Sequence, residues 1–192
     1  MKEISEIKEK FQQKRPVDWD MIPDIPLTKN QVVMYMPRQL VGMDGEDDIT
    51  AAMINNYIKD LLMPRANGKT YSKEHIAYLT AISVFKKSLA VKDIKKLVDS
   101  SSAKMTIEEY YQRLNSHLDN DLNEVASYIK EDMSEEALVE LAFELAISVY
   151  ARRTLCEQLI KLLSKDEKKK EKPKKEEIGL RMEHRNHLFT EP

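Results

Sequence analysis

Ala52, Asn55, Asn56 and Lys59 recur at the i, i+3, i+4, i+7 spacing of one helical face. The residue types suit recognition. A primary amide both donates and accepts, so asparagine can pair with the N6 and N7 edge of adenine, and an ammonium can reach guanine or a phosphate. Arg65 and Lys69 follow closely, in a segment whose turn signal would let them flank phosphates. The alternative is an ordinary amphipathic helix whose polar face is merely wet. Periodicity alone favours the ordinary helix.

Bond-making chemistry has no comparable signature. The chain has four glycines, at 42, 45, 68 and 179, and lacks both G-x-G-x-x-G and G-x-x-x-x-G-K-S/T. There is no G-x-S-x-G nucleophile elbow and no H-E-x-x-H. The single cysteine, Cys156, excludes a disulfide framework and a multi-cysteine zinc site, and its apolar surroundings read as an inert buried thiol. His75 falls in a first helical turn and His117 on a polar stripe, so both read as surface histidines. Asp119-Asn120-Asp121 imitates an EF-hand start, but position six is Glu124 and position twelve Lys130, which rejects it. The H-x-x-H at His184 and His187 lies in a charged tail and lacks a third fixed ligand. A non-enzymatic protein without cofactor or metal is expected.

At 192 residues and 22.4 kDa the chain is long enough for a real core. No apolar run spans a bilayer, and MKEISEIKEKFQQKR has no secretory centre, so a reduced, cytoplasmic protein is expected. The net charge of -2 conceals an uneven distribution. Residues 50–99 hold nine Lys or Arg against four acids, a net +5. Residues 119–146 hold nine acids against Lys130 alone, a net -8. Two halves of opposite sign imply different partners.

The elements that must carry these residues are helical. Ile4, Ile7 and Phe11 give a weak N-terminal amphipathic helix, followed by an arm with Pro16, Pro23 and Pro26 in which Trp19 reads as an anchor. Thr28 to Gln31 reads as a capping box for a short helix that Pro37 ends or kinks. VGMDGEDD reads as a loop, and Thr50 as the N-cap of AAMINNYIKDLL. Asn67-Gly68 signals a hairpin wing, because both residues tolerate positive φ. Ser72 caps a helix to about Ser88, and a further helix carries Val91, Ile94, Leu97 and Val98. Ser100–Ser102 reads as a domain boundary. Thr106 and Glu109 box the next helix, to about Asp132. Ser134 caps the last, at 135–164, whose apolar residues surround much of its circumference. Such a helix is central in its own domain or buried in a partner. Residues 165–177 have nothing to bury but Pro173 and read as a solvated linker or frayed helix, before a short segment with Leu188 and Phe189.

ITAAMINNYIKDLLMPRANGKTYSKEHIAYL with SLAVKDIKKLV resembles the winged helix-turn-helix of the MerR family. Thr50 matches the family's cap, and Leu62-Met63-Pro64, Tyr71-Ser72 and Val91 to Leu97 match its later motifs. Leu61 replaces the turn glycine, Ala90 a capping serine, and Asn55-Asn56 the usual Arg-Tyr pair. MIPDIPLTKNQV, MINNYIKDLLMP and KTYSKEHIAYL are also similar, over about residues 21–170, to the bacterial family called domain of unknown function 1836. These resemblances imply DNA binding by analogy, with Thr50, Ala52, Asn55, Asn56, Lys59, Arg65, Lys69 and Tyr71 as the contact set.

The expectation is therefore an all-α, mainly helical chain with a small β-hairpin wing. It divides into an arm at 1–26, a winged helix-turn-helix at 27–101, an acidic helical domain at 103–164 and a charged tail at 165–192. The expected function is a DNA-binding transcriptional regulator. The alternative is a protein-interaction adaptor that keeps the fold without binding DNA. Double-stranded DNA and a second copy of the chain, joined through the C-terminal helices, are the expected partners, with no membrane contact and an unidentified effector. A continuous basic face over Asn55, Lys59 and Lys69 favours DNA, and acidic interruption favours the adaptor. The acidic run from Asp119 to Glu144 opposes a dimer if those carboxylates face one another.

Overall fold

A computed structural model describes the backbone of residues 2–39 and 49–186, with side chains at 3–39 and 49–163. The glycine-bearing loop expected at 41–48 and the segment with Leu188 and Phe189 lie outside the described residues.

The first helix, α1 (Lys2–Gln13), packs along α6 (Ile107–Ser127). Arg15 fastens its end: the guanidinium donates to the carbonyls of Phe11 (2.7 Å) and Lys14 (2.9 Å), to Asn123 Oδ1 (3.1 Å) and to the Asp119 carboxylate. The residues that imitate a calcium loop thus hold an arginine. Beyond it the proline-rich arm makes one 3-10 turn at Trp19–Met21. Trp19 anchors it as expected, half-buried with its ring 5.8 Å from that of Tyr111 and the Lys73 ammonium 4.7 Å above its centroid.

Strand β1 (Leu27–Thr28) leads directly into α2 (Lys29–Tyr35). Thr28 serves both, pairing in the sheet and closing the capping box. Its N–H donates to Gln31 Oε1 at 2.8 Å, and its hydroxyl accepts from the Gln31 N–H. Pro37 has no N–H to continue α2, and the chain tightens into a 3-10 turn at Met36–Gln39. Helix α3 (Ala51–Lys59) begins where Thr50 Oγ1 accepts from the Met53 N–H, and buries Ile54 and Tyr57.

Helix α3 ends in a Schellman motif. The Leu62 N–H bonds Tyr57 O (2.8 Å) and the Leu61 N–H bonds Ile58 O (3.2 Å). The motif needs a left-handed residue, and Leu61 supplies it at φ 57° with its side chain 63% exposed. A leucine there is strained and gains little burial. Leu61→Gly is therefore expected to raise stability by about 0.5–1 kcal/mol in chemical denaturation. A loss of stability would mean that the leucine side chain is held by its surroundings.

The turn at 67–70 closes as Asn67 and Thr70 exchange hydrogen bonds of 2.9 and 3.1 Å. Only Gly68 is left-handed there, at φ 63°, whereas the sequence suggested positive φ for Asn67 as well. The sheet also differs from a local hairpin. Strand β2 (Thr70–Tyr71) pairs antiparallel with β1, Leu27 opposite Tyr71 and Thr28 opposite Thr70, and the turn's own flanks contribute one bridge. Two short flanks cannot stabilise each other, but a strand edge provided by the arm can.

Helix α4 (Lys73–Phe85) is the hub. Ile76, Ala77, Leu79, Thr80, Ala81, Ile82 and Ser83 are all buried, so it is enclosed around most of its circumference, with Tyr78 partly exposed. Thr80 satisfies its hydroxyl within the helix by donating to Ile76 O at 2.9 Å. His75 is not a surface residue. It is 6% exposed, because its ring closes the α4 cap: Ser72 N–H donates to Nδ1 at 3.0 Å. That fixes the proton on Nε2, which donates to Arg65 O at 3.2 Å.

Helix α5 (Val91–Ser102) starts at Ala90 without a capping side chain. Ser100–Ser102 form its last turn rather than a linker, Ser101 and Ser102 donating back to the carbonyls of Leu97 and Val98. Thr106 and Glu109 box α6 as expected. Tyr110, Tyr111 and Leu114 of α6 lie in the same core as α2, α3 and α4. Ser134 Oγ accepts from the Ala137 N–H at the start of α7 (Glu135–Asn186), whose backbone stays helical through 165–177. Lysine and glutamate are good helix formers, so the charged segment takes the helical of its two expected states.

Candidate nucleic-acid interface

The face opposite Ile54 and Tyr57 on α3 carries Ala52, Asn55, Asn56 and Lys59, all exposed. The core stripe fixes its direction, since residues three and four apart share a side and both anchors are under 10% exposed. Thr50 stands at the head of the helix with its hydroxyl engaged by the Met53 N–H, so its contribution is positional.

Helix α2 brings a residue that sequence reading missed. Lys29 Nζ donates to Asn55 Oδ1 at 2.5 Å, placing an ammonium beside the amide. An amide oxygen has two lone pairs, so Asn55 keeps one acceptor site and both amino donors for an incoming base edge. Lys29 lies 26 residues from Asn55, and nothing local in PLTKNQ points to it.

Arg65 and Lys69 are exposed on the segment after α3. The turn holding Lys69 is fixed by Gly68 and by the Asn67–Thr70 exchange, and the backbone of Arg65 is fixed by the buried His75 ring. Tyr71 does not join them. It is 3% exposed, with its ring edge-on to His75 at 5.3 Å and 82°, and it belongs to the core. A two-residue strand does not announce which of its side chains turns inward, and the other, Thr70, is the one left partly exposed.

The surrounding charge is mixed. Lys29, Lys59, Arg65 and Lys69 are positive, while Asp60 is exposed immediately after Lys59 and is followed by the exposed Leu61. Helix α2 ends at Tyr35 and α3 starts at Ala51, a separation longer than the turn of about three or four residues in a compact helix-turn-helix. Among the described residues no group of three His, Cys, Asp or Glu is placed to hold a metal, and no helix is long and apolar enough to cross a membrane.

No curated protein and no solved structure matches the chain. The profile of the family described as domain of unknown function 1836 matches residues 17–114, just over half of the chain. Its limits have a structural counterpart. Tyr111 Oη lies 2.7 Å from the carbonyl of Val17, so α6 ties back the segment at which the match begins. The chain belongs to the family of domain of unknown function 1836.

Proposed function

We propose that this protein is a non-enzymatic DNA-binding regulator that reads double-stranded DNA with α3, in a MerR-like winged helix-turn-helix arrangement. One observation carries the reading: Ala52, Asn55, Asn56 and Lys59 are exposed together on a helix whose opposite face is locked into the core, with Lys29 beside Asn55. Short polar side chains on a rigid helix suit base edges in a major groove. Lys59, Arg65 and Lys69 then take phosphates, which position the helix without reading sequence. Thr50 holds the helix start, and Tyr71 supports the turn from within.

Asp60 and Leu61 favour a second reading. A carboxylate and an exposed leucine at the end of α3 suit a protein surface better than a phosphate backbone. In that reading the chain is an adaptor that binds a protein through the same face.

Selection of the full chain's ligands from a random duplex pool separates the two. Enriched sequences are expected. Lys59→Ala and Lys69→Ala should weaken binding to all of them and each reduce the salt slope by about 1, because each lost phosphate contact releases about 0.9 counterion fewer. Asn55→Ala or Asn56→Ala should instead cost about 1–3 kcal/mol at particular base pairs. A pool without enrichment, combined with nonspecific affinity indifferent to salt, would overturn DNA binding and leave the adaptor.

A further inference from the structure

Helix α7 has two faces of different fate. One turns to the body: Leu138, Leu141 and Leu145 meet Ile7, Phe11 and Ile129 around an apolar groove of about 210 Å³, and further along Ile160 is buried in the core. The other carries Phe143 (62% exposed), Ile147 (54%), Leu155 (61%) and Leu162 (56%), with Tyr150 (72%) at its border. Ala151 lies between them, exposed like its neighbours. At 100° per residue these positions fall within one broad sector away from the groove, a sector that Glu140 and Glu144 share.

Val139, 64% exposed, lies at the edge of this face. Large apolar side chains grouped on one sector and rimmed by polar ones mark an interaction surface. The charge along α7 selects the occupant. Residues 135–151 contain Glu135, Glu136, Glu140 and Glu144 and no base, whereas 152–163 contain Arg152, Arg153 and Lys161 against Glu157. A second α7 laid parallel would set four carboxylates against four. Laid antiparallel, it sets each acidic half against a basic half, and opposes the helix dipoles as well.

We infer that this face is the interface of a homodimer in which two α7 helices pair antiparallel about a two-fold axis near Ala151. The axis sits at the middle of the run from Val139 to Leu162, and the small residue there lets the backbones approach. Ile147 then lies opposite Leu155 of the second copy. The acidic run that would repel in a parallel pair becomes complementary in this one. The inference does not depend on DNA binding, since the face lies on a different helix from α3.

Sedimentation of the full chain at micromolar concentration is expected to give the mass of two chains. Ile147→Glu with Leu155→Glu is expected to give one chain with unchanged helical circular dichroism, both sites being exposed. A single-chain mass for the wild type, or a dimer mass for the double variant, would overturn the interface. Orientation is read by cross-linking. In a Cys156→Ser background, chains bearing Ile147→Cys and size-tagged chains bearing Leu155→Cys are mixed, re-equilibrated and oxidised. Mixed disulfides are expected to dominate. Disulfides within each type alone, or none, would overturn the antiparallel pairing.

Discussion

Tyr111→Ala is expected to remove about 3–5 kcal/mol, the cost of deleting a fully buried aromatic ring. Tyr111 has no exposed surface, and it connects three parts of the fold. Its ring packs tilted against Trp19, and its hydroxyl lies 2.7 Å from Val17 O and 2.9 Å from the side-chain amide of Gln39. A phenol has one proton. Val17 O and Gln39 Oε1 are both acceptors within reach of that proton, so both contacts depend on one residue. Truncation leaves the buried Gln39 Oε1 without its donor, which adds to the cavity cost. Against a typical stability of about 5–15 kcal/mol, much of the folded population is at risk. Tyr111→Phe separates the terms: it keeps the ring and should cost about 1–3 kcal/mol through the unpaired amide. Chemical denaturation measures both, and Trp19 fluorescence reports whether the arm loosens first. A Tyr111→Ala protein within 1 kcal/mol of the wild type would show that the arm is not held by α6.

Much of the fold is visible in the sequence because its punctuation is local. Thr28 with Gln31, Thr50, Thr106 with Glu109, and Ser134 each meet a partner three residues away, so the helix starts can be read without knowing the tertiary structure. What is hidden is non-local. The pairing of Leu27 with Tyr71 spans 44 residues, and no property of either strand alone selects the other. His75 shows the same limit. Its position in a first turn suggests exposure, whereas the Arg65 carbonyl and the Tyr71 ring, both brought by the preceding turn, enclose it. The apolar content of α7 reads as a helix central in its own domain or buried in a partner; within the single chain α4 is the central helix, because burial depends on what neighbours provide, not on apolar content alone.

The candidate interface divides along the same line. Ala52, Asn55, Asn56 and Lys59 are found by helical period, which is a local property. Lys29 is not, since only the packing of α2 on α3 brings its ammonium to Asn55. Tyr71 illustrates the converse error. Its place in a resemblance suggested contact with a ligand, but a resemblance aligns positions and not the direction of a side chain, and this one fills the core.

Raising the pH should unfold the protein in a window set by its buried tyrosines. Burial pushes the Tyr110 and Tyr111 phenols up to about 12 from an ordinary 10.0, desolvation being the main cause in each. The unfolded chain releases these protons near pH 10, while the folded chain retains them. Between pH 10 and about 12 the unfolded state therefore binds fewer protons than the folded state, and stability falls as pH rises. Two pH units correspond to about 2–3 kcal/mol for each tyrosine, lost in full only as pH reaches the folded value. Below pH 10 both states hold the protons, and this contribution is constant. Denaturant midpoints followed across the window should fall steeply, with phenolate absorbance rising in step with unfolding. Lysines titrate in the same range, so Tyr110→Phe is the control. Its stability at neutral pH is expected to change little, because the ring that fills the core remains, and its alkaline slope should be shallower than that of the wild type by about one proton. An unchanged slope in Tyr110→Phe would mean that its phenol ionises as readily folded as unfolded, which contradicts a ring held 4% exposed in the core.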